Sequence, residues 1–433
     1  MASVQRGSPS PPYRAWVVVA SALGAYPVHD ARAADPLNSS DKAATSDVTA
    51  PTAHNEFNLV PVAGGTTDIG IGGGYFAGLT RVRRGDDPYV WDIESAGFVT
   101  FESSGGHVIV PYQDIYVQAT VPRLLQHPLT LEIRPEYSNE STLNYFGLGN
   151  ASSAAAPPGA PSKYFLYGRI HPYILVDLRW RMIDHVAGHM GLSYEQNWLQ
   201  VASTSKLADD LRDGSPEVKR LLGSIAPQAV AKMALGLQWD NRDNDVSSHS
   251  GMFHTVDVSL SPGGIAAFPS RYGQVTGIAC AFVPIWKPHV TLAMRIVGDM
   301  MFGTPPFYEL ARFKDSYDTY AIGGLNGVRG VPGQRYYGKV KVFGNVELRT
   351  EIVSFHALGQ AMVLGAVAFF DGGRLWADTT PQPQLDGHGV ELKYGVGGGL
   401  RLQSGRAFVL RADVAYSPDA SPVGGYVAAG QMF

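Results

Sequence analysis

The chain has 433 residues, with 17% charged and 11% aromatic side chains, 50 glycines, 21 tyrosines and a formal net charge of −4. This balance leaves no surplus of lysine and arginine to neutralise phosphates, which argues against a nucleic-acid partner. The single cysteine, Cys280, excludes an intrachain disulfide and a cysteine-rich metal site.

The first 33 residues are typical of a secretory signal peptide. Arg6 and Arg14 supply positive charge, residues 15–25 form an apolar run, and Ala31-Arg32-Ala33 offers a small-residue cleavage site. The alternative is a membrane anchor, but the run is too short to cross about 30 Å of hydrocarbon as a helix. Residues 34–56, rich in Ala, Ser, Thr and Asp, are predicted to be a disordered periplasmic lead-in. We therefore expect an exported protein.

From residue 57 onward, apolar and polar residues alternate in long runs, which predicts strands. Between Tyr164 and Arg181 the charged residues fall on one face only. Such a run is longer than the usual strand of a soluble sheet and suits a tilted strand that crosses a bilayer, with its charged face toward a lumen. The alternative, a soluble sandwich, would place its charges outside. Sixteen strands are predicted, at about residues 57–64, 66–83, 89–103, 106–121, 128–140, 163–181, 185–202, 229–241, 252–262, 272–285, 288–301, 338–351, 359–371, 391–403, 407–417 and 424–433.

The connections between these strands alternate in length. Those after even-numbered strands are mostly short, whereas those after odd-numbered strands include 141–162, 203–228, 302–337 and 372–390. Bacterial outer-membrane barrels have short periplasmic turns, long extracellular loops and an even number of strands. We therefore predict an all-β fold, a 16-stranded antiparallel transmembrane β-barrel, over residues 57–433.

The long loop 203–228 is predicted to contain a helix. Ser215 can cap its start and Pro216 suits its first turn. Val218, Leu221 and Leu222 then form an apolar stripe along one face.

Phe433 is predicted to be the last residue of the last strand, where Val427 and Ala429 share its face. In proteins of this class an aromatic residue at this place is the signal that the insertion machinery of the outer membrane reads. Phe433 is therefore predicted to be a C-terminal insertion signal.

Two short segments carry a more specific pattern. Residues 323–330 (GGLNGVRG) lie in the loop between strands 11 and 12, and residues 369–373 (FFDGG) end strand 13. Together they resemble the BamA/TamA superfamily of bacterial surface antigen barrels, whose sixth extracellular loop carries a Val-Arg-Gly-aromatic motif. In that family the loop folds back into the lumen, and its arginine pairs with the aspartate of an F-x-D-x-G motif on strand 13. The resemblance is strongest from Tyr320 onward.

The resemblance identifies a lumen motif in the loop 302–337, Val328, Arg329 and Gly330, and its anchoring partners, Asp371, Phe369 and Gly373. Because arginine stays charged, a loop that carries it into a partly dehydrated lumen needs a carboxylate partner. We therefore expect Arg329 to pair with Asp371 and to hold the loop inside the barrel. In the alternative, Arg329 is a solvated loop residue and Asp371 only caps the end of strand 13.

The sequence departs from the family pattern in two places. Val331 stands where the family has an aromatic residue, so Tyr336 or Tyr337 is expected to supply that packing. Only the 23 residues 34–56 lie between the predicted cleavage site and the barrel. That length cannot hold a POTRA domain, the periplasmic module through which family members receive substrates, so we expect a single-barrel member without POTRA domains.

The family's first and last strands form a weak seam that opens toward lipid. By this resemblance the seam lies between residues 57–64 and 424–433, where Gly424, Gly425 and Gly430 are expected to weaken it. The implied function is the assembly or translocation of proteins at the bacterial outer membrane. The implied partners are outer-membrane lipid and unfolded outer-membrane or exported proteins.

Two other functions stay open at the level of the sequence. The barrel could be a channel for small solutes, in which lumen arginines such as Arg169, Arg295 and Arg401 would give a modest preference for anions. It could also be the membrane half of a complex with a separate periplasmic partner. No catalytic motif such as G-x-S-x-G occurs. We expect no enzyme activity, no cofactor and no bound metal.

Overall fold

The structure is a computed structural model that describes residues 53–66, 70–83, 89–104, 106–244, 247–266, 268–287, 289–313, 320–357, 360–404, 408–419 and 423–433. The predicted signal peptide, residues 1–33, and the lead-in up to residue 52 lie outside the described residues. No helix in the described part of the chain is long and apolar enough to span a membrane.

Seventeen strands form one sheet in this part of the chain. In chain order they are β1 His54–Thr66, β2 Gly70–Val82, β3 Trp91–Ser104, β4 His107–Ile109, β5 Tyr112–Val121, β6 Leu129–Asn144, β7 Leu166–Ile183, β8 Val186–Gln200, β9 Gln228–Asp240, β10 Gly251–Ser261, β11 Tyr272–Trp286, β12 Val290–Gly303, β13 Val340–Ala357, β14 Gln360–Trp376, β15 Lys393–Ser404, β16 Phe408–Tyr416 and β17 Gly424–Ala429. The α-helices are α1 Lys206–Asp213, α2 Pro216–Leu222 and α3 Pro383–Asp386, and short 3-10 helices cover Leu124–Gln126 and Phe307–Ala311.

The sheet is an up-and-down meander in which every paired strand is antiparallel to its partner. Consecutive strands pair with each other, except that β3 pairs with both β4 and β5. The ring of strands closes where Thr66 of β1 faces Tyr426 of β17. The prediction of an antiparallel all-β barrel is therefore confirmed.

The two faces of the strands have the reverse of the polarity of a soluble protein. On β10, Val256, Val258 and Leu260 are exposed on the outer surface, whereas Thr255, Asp257 and Ser259 between them are buried on the inner one. Side chains of successive strand residues point to opposite faces. An apolar outer surface around a polar lumen is the arrangement of a barrel that lies in lipid.

The strand boundaries differ from the prediction at several places. Strand β14 continues to Trp376 rather than residue 371, so residues 369–373 lie inside the strand and do not end it. The predicted fourth strand, 106–121, is divided into β4 and β5 with Pro111 in the break, because proline has no N–H for a ladder hydrogen bond. The first strand begins at His54 rather than residue 57, so it includes the end of the predicted lead-in. The last strand ends at Ala429 rather than Phe433.

The connections at the two ends of the barrel have different lengths, as predicted. The short-turn end carries 184–185 and 287–289, for example, and the long-loop end carries 145–165, 201–227, 304–339 and 377–392. In outer-membrane barrels the short turns face the periplasm and the long loops face outside. The predicted helix in loop 203–228 is confirmed as α2, where the Ser215 side chain accepts a hydrogen bond from the Val218 N–H. Helix α1 was not predicted.

An apolar cap closes the long-loop end. Helices α1 and α2 bury Leu207 and Leu222 against Phe307 and Tyr337 of the loop 304–339 and against Tyr145 of the connection after β6. Deeper in the barrel, the same loop 304–339 packs a second apolar cluster against the inner wall at β13 and β14. The described part of the long loop therefore lies inside the lumen, and the cap covers it from outside.

Candidate functional site

The predicted lumen motif lies at the centre of the barrel. Val328 and Arg329 have 0% of their surface exposed. Gly330 follows with φ of +90°, a backbone conformation that favours glycine, and this turn brings the chain against β16 and β15. The tight turn presents the Arg329 side chain to the inner wall.

Arg329 and Asp371 form a two-pronged ion pair. The Arg329 Nε donates to Asp371 Oδ2 at 2.7 Å, and Nη2 donates to Oδ1 at 3.0 Å. The backbone N–H of Arg329 also donates to Asp371 Oδ2, at 3.1 Å. The carboxylate thus binds both the side chain and the backbone of the loop, a geometry that lysine cannot reproduce.

Arg329 also reaches two carboxylates that the motif does not contain. Its Nη1 donates to Glu347 of β13 at 2.7 Å and to Asp413 of β16 at 3.1 Å. The guanidinium lies over the ring of Phe369, with 3.4 Å between its central carbon and the ring centroid. Both acids fall on the lumen face of their strands by alternation, but alternation does not pair them with Arg329.

Gly373 allows the loop to approach β14 closely. A Cβ atom at this position would lie 2.5 Å from the Phe343 Cβ and 2.6 Å from the Cδ1 of Ile322, which belongs to the loop. Any larger residue would therefore push the loop away from the wall. Together, Asp371, Phe369 and Gly373 surround the lumen motif, so the structure brings all six predicted residues into one site.

The loop has further hydrogen bonds to the wall on either side of Arg329. The Gly330 N–H donates to the Tyr426 hydroxyl of β17 at 2.9 Å. Asn345 donates to the Gly327 carbonyl at 2.8 Å, and Arg411 donates to the Asn326 side chain at 2.7 Å. The tip of the loop is therefore bound to β13, β14, β16 and β17 at once. Nothing in the sequence marked Tyr426 as a partner.

The aromatic packing expected near position 331 comes from further along the chain. Val331 is buried in the apolar cluster with Tyr336 and Phe343. Tyr337 packs instead in the cap, where its ring contacts Tyr145 at a centroid distance of 5.3 Å and its hydroxyl donates to the Asn144 carbonyl at 2.6 Å. Both tyrosines thus hold the loop, one in the lumen and one in the cap.

A second polar cluster holds the beginning of the loop against the opposite wall. Glu309 accepts a hydrogen bond from Lys232 of β9 at 3.4 Å and lies 3.7 Å from Arg169 of β7 and from Arg312 in the loop. Arg169 is also paired with Glu195 of β8. We call this cluster the second anchor. No motif in the sequence predicts this cluster, and its one signal is a glutamate inside the apolar run Phe307–Ala311.

Phe433 does not lie on the outer surface, and the expectation that it ends the last strand is wrong. The strand ends before Gly430, which has φ of +82°, although the Gly430 N–H still donates to the Val409 carbonyl of β16 at 2.7 Å. Phe433 then packs inside the barrel, 6.2 Å from the Phe282 ring, while its main-chain oxygen accepts from Arg349 at 3.0 Å. Its expected role as an insertion signal remains a prediction.

The predicted seam between the first and last strands has the weakest pairing in the sheet. Strand β17 has six residues, against thirteen in β1. Among the described residues, Thr66 and Tyr426 are the one residue pair of this ladder. Gly430 follows the last strand with φ of +82°, and its expected role in weakening the seam remains a prediction.

The comparisons with known proteins agree with this geometry. A family model described as the Omp85 superfamily domain matches residues 167–423. Among solved structures, BamA from Haemophilus ducreyi lacking POTRA domains 1–3 is similar, with 15% identity and a TM-score of 0.56, over 87% of this chain and 70% of that one. CdiB from Escherichia coli has 13% identity and a TM-score of 0.54, over 87% of this chain and 62% of that one. A comparison with curated protein sequences gives no match.

Proposed function

The chain belongs to the Omp85 superfamily, and we propose that it acts at the bacterial outer membrane in the assembly or translocation of other proteins. Its fold is that of the BamA and CdiB barrels, although it spans only 70% and 62% of those chains. The apolar outer surface supports a place in lipid. The proposed role is not enzymatic.

The observation that carries this proposal is the free edge of β1. All thirteen residues of β1 pair with β2, whereas on the other side one residue, Thr66, pairs with β17. Within the described residues, His54 to Gly65 of β1 therefore form no residue pair with β17. An unpaired edge offers backbone N–H and C=O groups to another strand.

A strand of a client protein can add to this edge from within the membrane. Backbone groups in hydrocarbon must be hydrogen-bonded, because water is absent there. A β-strand that enters the membrane gains such partners at the edge of β1, and each further strand can add to the one before it. The seam would thus act as a template for the assembly of another barrel.

The lumen is a less suitable path. The described part of the loop 304–339 lies across it, with Arg329 and Tyr336 of the loop nearly inaccessible to solvent, and the cap covers its outer end. A polypeptide or a solute that crossed the lumen would need to displace the whole loop and break the Arg329 ion pairs. This favours assembly at the seam over passage through the barrel, and it counts against a simple solute channel.

Proteomics of the outer membrane tests the function. The gene is deleted, and outer-membrane proteins are quantified in the deletion strain and in the same strain complemented with the full chain. We expect selective loss of a set of outer-membrane or surface proteins, and its recovery on complementation. An unchanged set of proteins would contradict the proposal.

Photo-crosslinking tests the site of action. A photoreactive amino acid is placed at Leu59 on β1 or, as a control, at Leu400 on β15, whose outward side chains are 58% and 56% exposed. Leu400 lies on a strand that is paired on both sides. We expect crosslinks from Leu59 to the proteins lost in the deletion strain and no such crosslinks from Leu400. Equal crosslinking from Leu59 and Leu400 would show that client proteins contact the barrel without pairing at the edge of β1, and it would contradict the proposed site.

A further inference from the structure

A polar cavity lies in the lumen at the short-turn end, below the Arg329 site. Its volume is about 40 Å³. Its floor and walls come from β12 to β15, and Ser247 and Ser248 in the turn between β9 and β10 cover it. These elements place the cavity inside the barrel, away from the lipid-facing surface.

The lining of the cavity consists mainly of hydrogen-bond donors. Arg349 and Arg401 line it together with serine, threonine, histidine and glutamine side chains. Glu351 is the one carboxylate among the lining residues, and it accepts a hydrogen bond from the His249 side chain at 2.9 Å. The cavity therefore offers donors and positive charge, and its single acid already has a partner.

The buried charges around the cavity do not balance. Five buried arginines surround the lumen motif: Arg295, Arg329, Arg349, Arg401 and Arg411. Three buried carboxylates face them: Glu347, Asp371 and Asp413. All three carboxylates contact Arg329. Glu347 is shared further with Arg349 and Arg401, Asp413 also pairs with Arg401, and the main-chain oxygen of Phe433 accepts from Arg349. Arg295 and Arg411 bond to amide groups instead, so positive charge is in excess.

Some of these guanidinium groups also lack partners. The Nη1 of Arg349 and the Nε and Nη1 of Arg411 are buried with no hydrogen-bond partner in the described residues. A buried charged donor without a partner is costly, so such groups bind a counter-ion or ordered water. Arg349 is the one of the two that lines the cavity.

We propose that this cavity binds a small oxyanion of the phosphate class, held by the Nη1 of Arg349 and attracted by the positive charge of Arg401. An oxyanion would offset the excess of positive charge, and its oxygens accept charge-assisted hydrogen bonds from a guanidinium. Hydroxyl donors such as Thr291 and Ser248 add neutral hydrogen bonds. The site opens to the short-turn end and does not depend on the proposed role in protein assembly.

Calorimetric titration of the purified full chain with inorganic phosphate tests the site. The detergent-solubilised protein is titrated at constant ionic strength, with chloride as the reference anion. We expect saturable phosphate binding that chloride does not give. Arg349→Gln should weaken binding about tenfold or more, because a charge-assisted hydrogen bond is lost.

Two threonine variants keep the test decisive if Arg349→Gln fails to fold. Thr291→Val keeps the shape of a residue that lines the cavity and should weaken phosphate binding about threefold. Thr255→Val changes a buried lumen threonine outside the cavity and should leave binding unchanged. Equal binding by both variants would overturn the proposal, as would a lack of preference for phosphate over chloride.

A second set of measurements, made in lipid, distinguishes free inorganic phosphate from the phosphate headgroup of a lipid as the ligand. The chain is placed in nanodiscs of phosphatidylcholine with or without phosphatidic acid, and inorganic phosphate binding is measured in each. The proposal predicts the same affinity in both. If phosphatidic acid instead displaces inorganic phosphate, the anion site belongs to the lipid surface and the assignment to the cavity is wrong.

Discussion

Two ladders of the same barrel differ greatly in length. Strands β13 and β14 face each other over seventeen residue pairs, whereas β1 and β17 share one pair within the described residues. The outer surface is apolar at both places, so lipid does not account for the difference. The difference in ladder length comes from the short last strand, which ends before the turn at Gly430. A closed barrel can therefore have one ladder that is much easier to open than the others.

The position of the loop fits this asymmetry. Arg329 binds carboxylates on β13, β14 and β16, and Gly330 binds the Tyr426 hydroxyl on β17. These contacts join the strands on one side of the seam from inside the lumen. In the opening of the seam that we propose, β17 stays attached to the loop through Tyr426 while β1 separates. The loop thus supports the weak side of the barrel without closing the seam.

Among the predicted effects, the loss of stability on removal of Arg329 should be the largest. Arg329→Met leaves three buried carboxylates close together without their shared cation, at a cost of roughly 3–5 kcal/mol. We expect a lower urea midpoint for unfolding in detergent micelles and greater protease access to the loop. Arg329→Lys keeps the charge but loses the two-pronged geometry, so it should recover only part of the loss. A wild-type midpoint for Arg329→Met would contradict the structural role.

Removal of Glu309 should have a smaller effect on the opposite wall. Its nearest charged partners lie at 3.4 to 3.7 Å, longer than the 2.7 Å pairs of Arg329. Glu309→Gln should cost about 1–3 kcal/mol, because the surrounding cations lose a carboxylate but keep an amide oxygen. The Arg329 site should remain intact. A double variant with Arg329→Met should give nearly additive free energies, since the two anchors share no partner.

Tyr426→Phe tests the link between the loop and the last strand. It removes the hydroxyl that accepts from the Gly330 N–H and leaves the ring in place. The cost should be about 1 kcal/mol or somewhat more, because the N–H is left buried without an acceptor. Hydrogen exchange of the Gly330 amide should accelerate, while the amide of Arg329, bound to Asp371, should not. An unchanged exchange rate of the Gly330 amide would contradict a stabilising role of its hydrogen bond to Tyr426.

The cap should respond to acid through Asp378. Burial raises the pKa of this carboxyl, but hydrogen bonds from Lys339, Arg220 and the Thr379 N–H outweigh it and hold the pKa below its ordinary value. A lowered pKa means that the stabilisation is present above about pH 4 and is lost as the pH falls through the folded value. We expect the thermal midpoint of the wild type to fall more steeply below pH 4 than that of Asp378→Asn. Identical pH profiles would contradict this.

The sequence predicted the strands well because each strand carries its own signal. Alternation with a period of two is a local pattern, and it survives in the barrel because lipid and lumen select opposite polarities. The division at Pro111 was also readable, since proline cannot donate to a ladder. The end of β17 was not, because Gly430 follows an alternating run and turns the chain only through its backbone conformation.

The candidate site was predicted only where a motif linked distant residues. Arg329 and Asp371 are 42 positions apart, and the resemblance alone connected them. Alternation places Glu347 and Asp413 on the lumen face of their strands, but it does not tell which residue each of them contacts. The second anchor combines β7, β8, β9 and the loop, and no local pattern could bring Arg169, Lys232 and Glu309 together.

A disulfide across the seam tests the central claim most directly. Gly64→Cys and Ala428→Cys would face each other if the register set by Thr66 and Tyr426 continued, and Cys280→Ala removes the native thiol. The control pair, Ala63→Cys and Gly73→Cys, joins β1 to β2 at residues that already face each other.

Under oxidising conditions we predict that the seam pair abolishes assembly of the client proteins and that a reductant restores it. The control pair should leave assembly unchanged under both conditions. Full assembly by a chain whose seam is covalently closed would contradict the account.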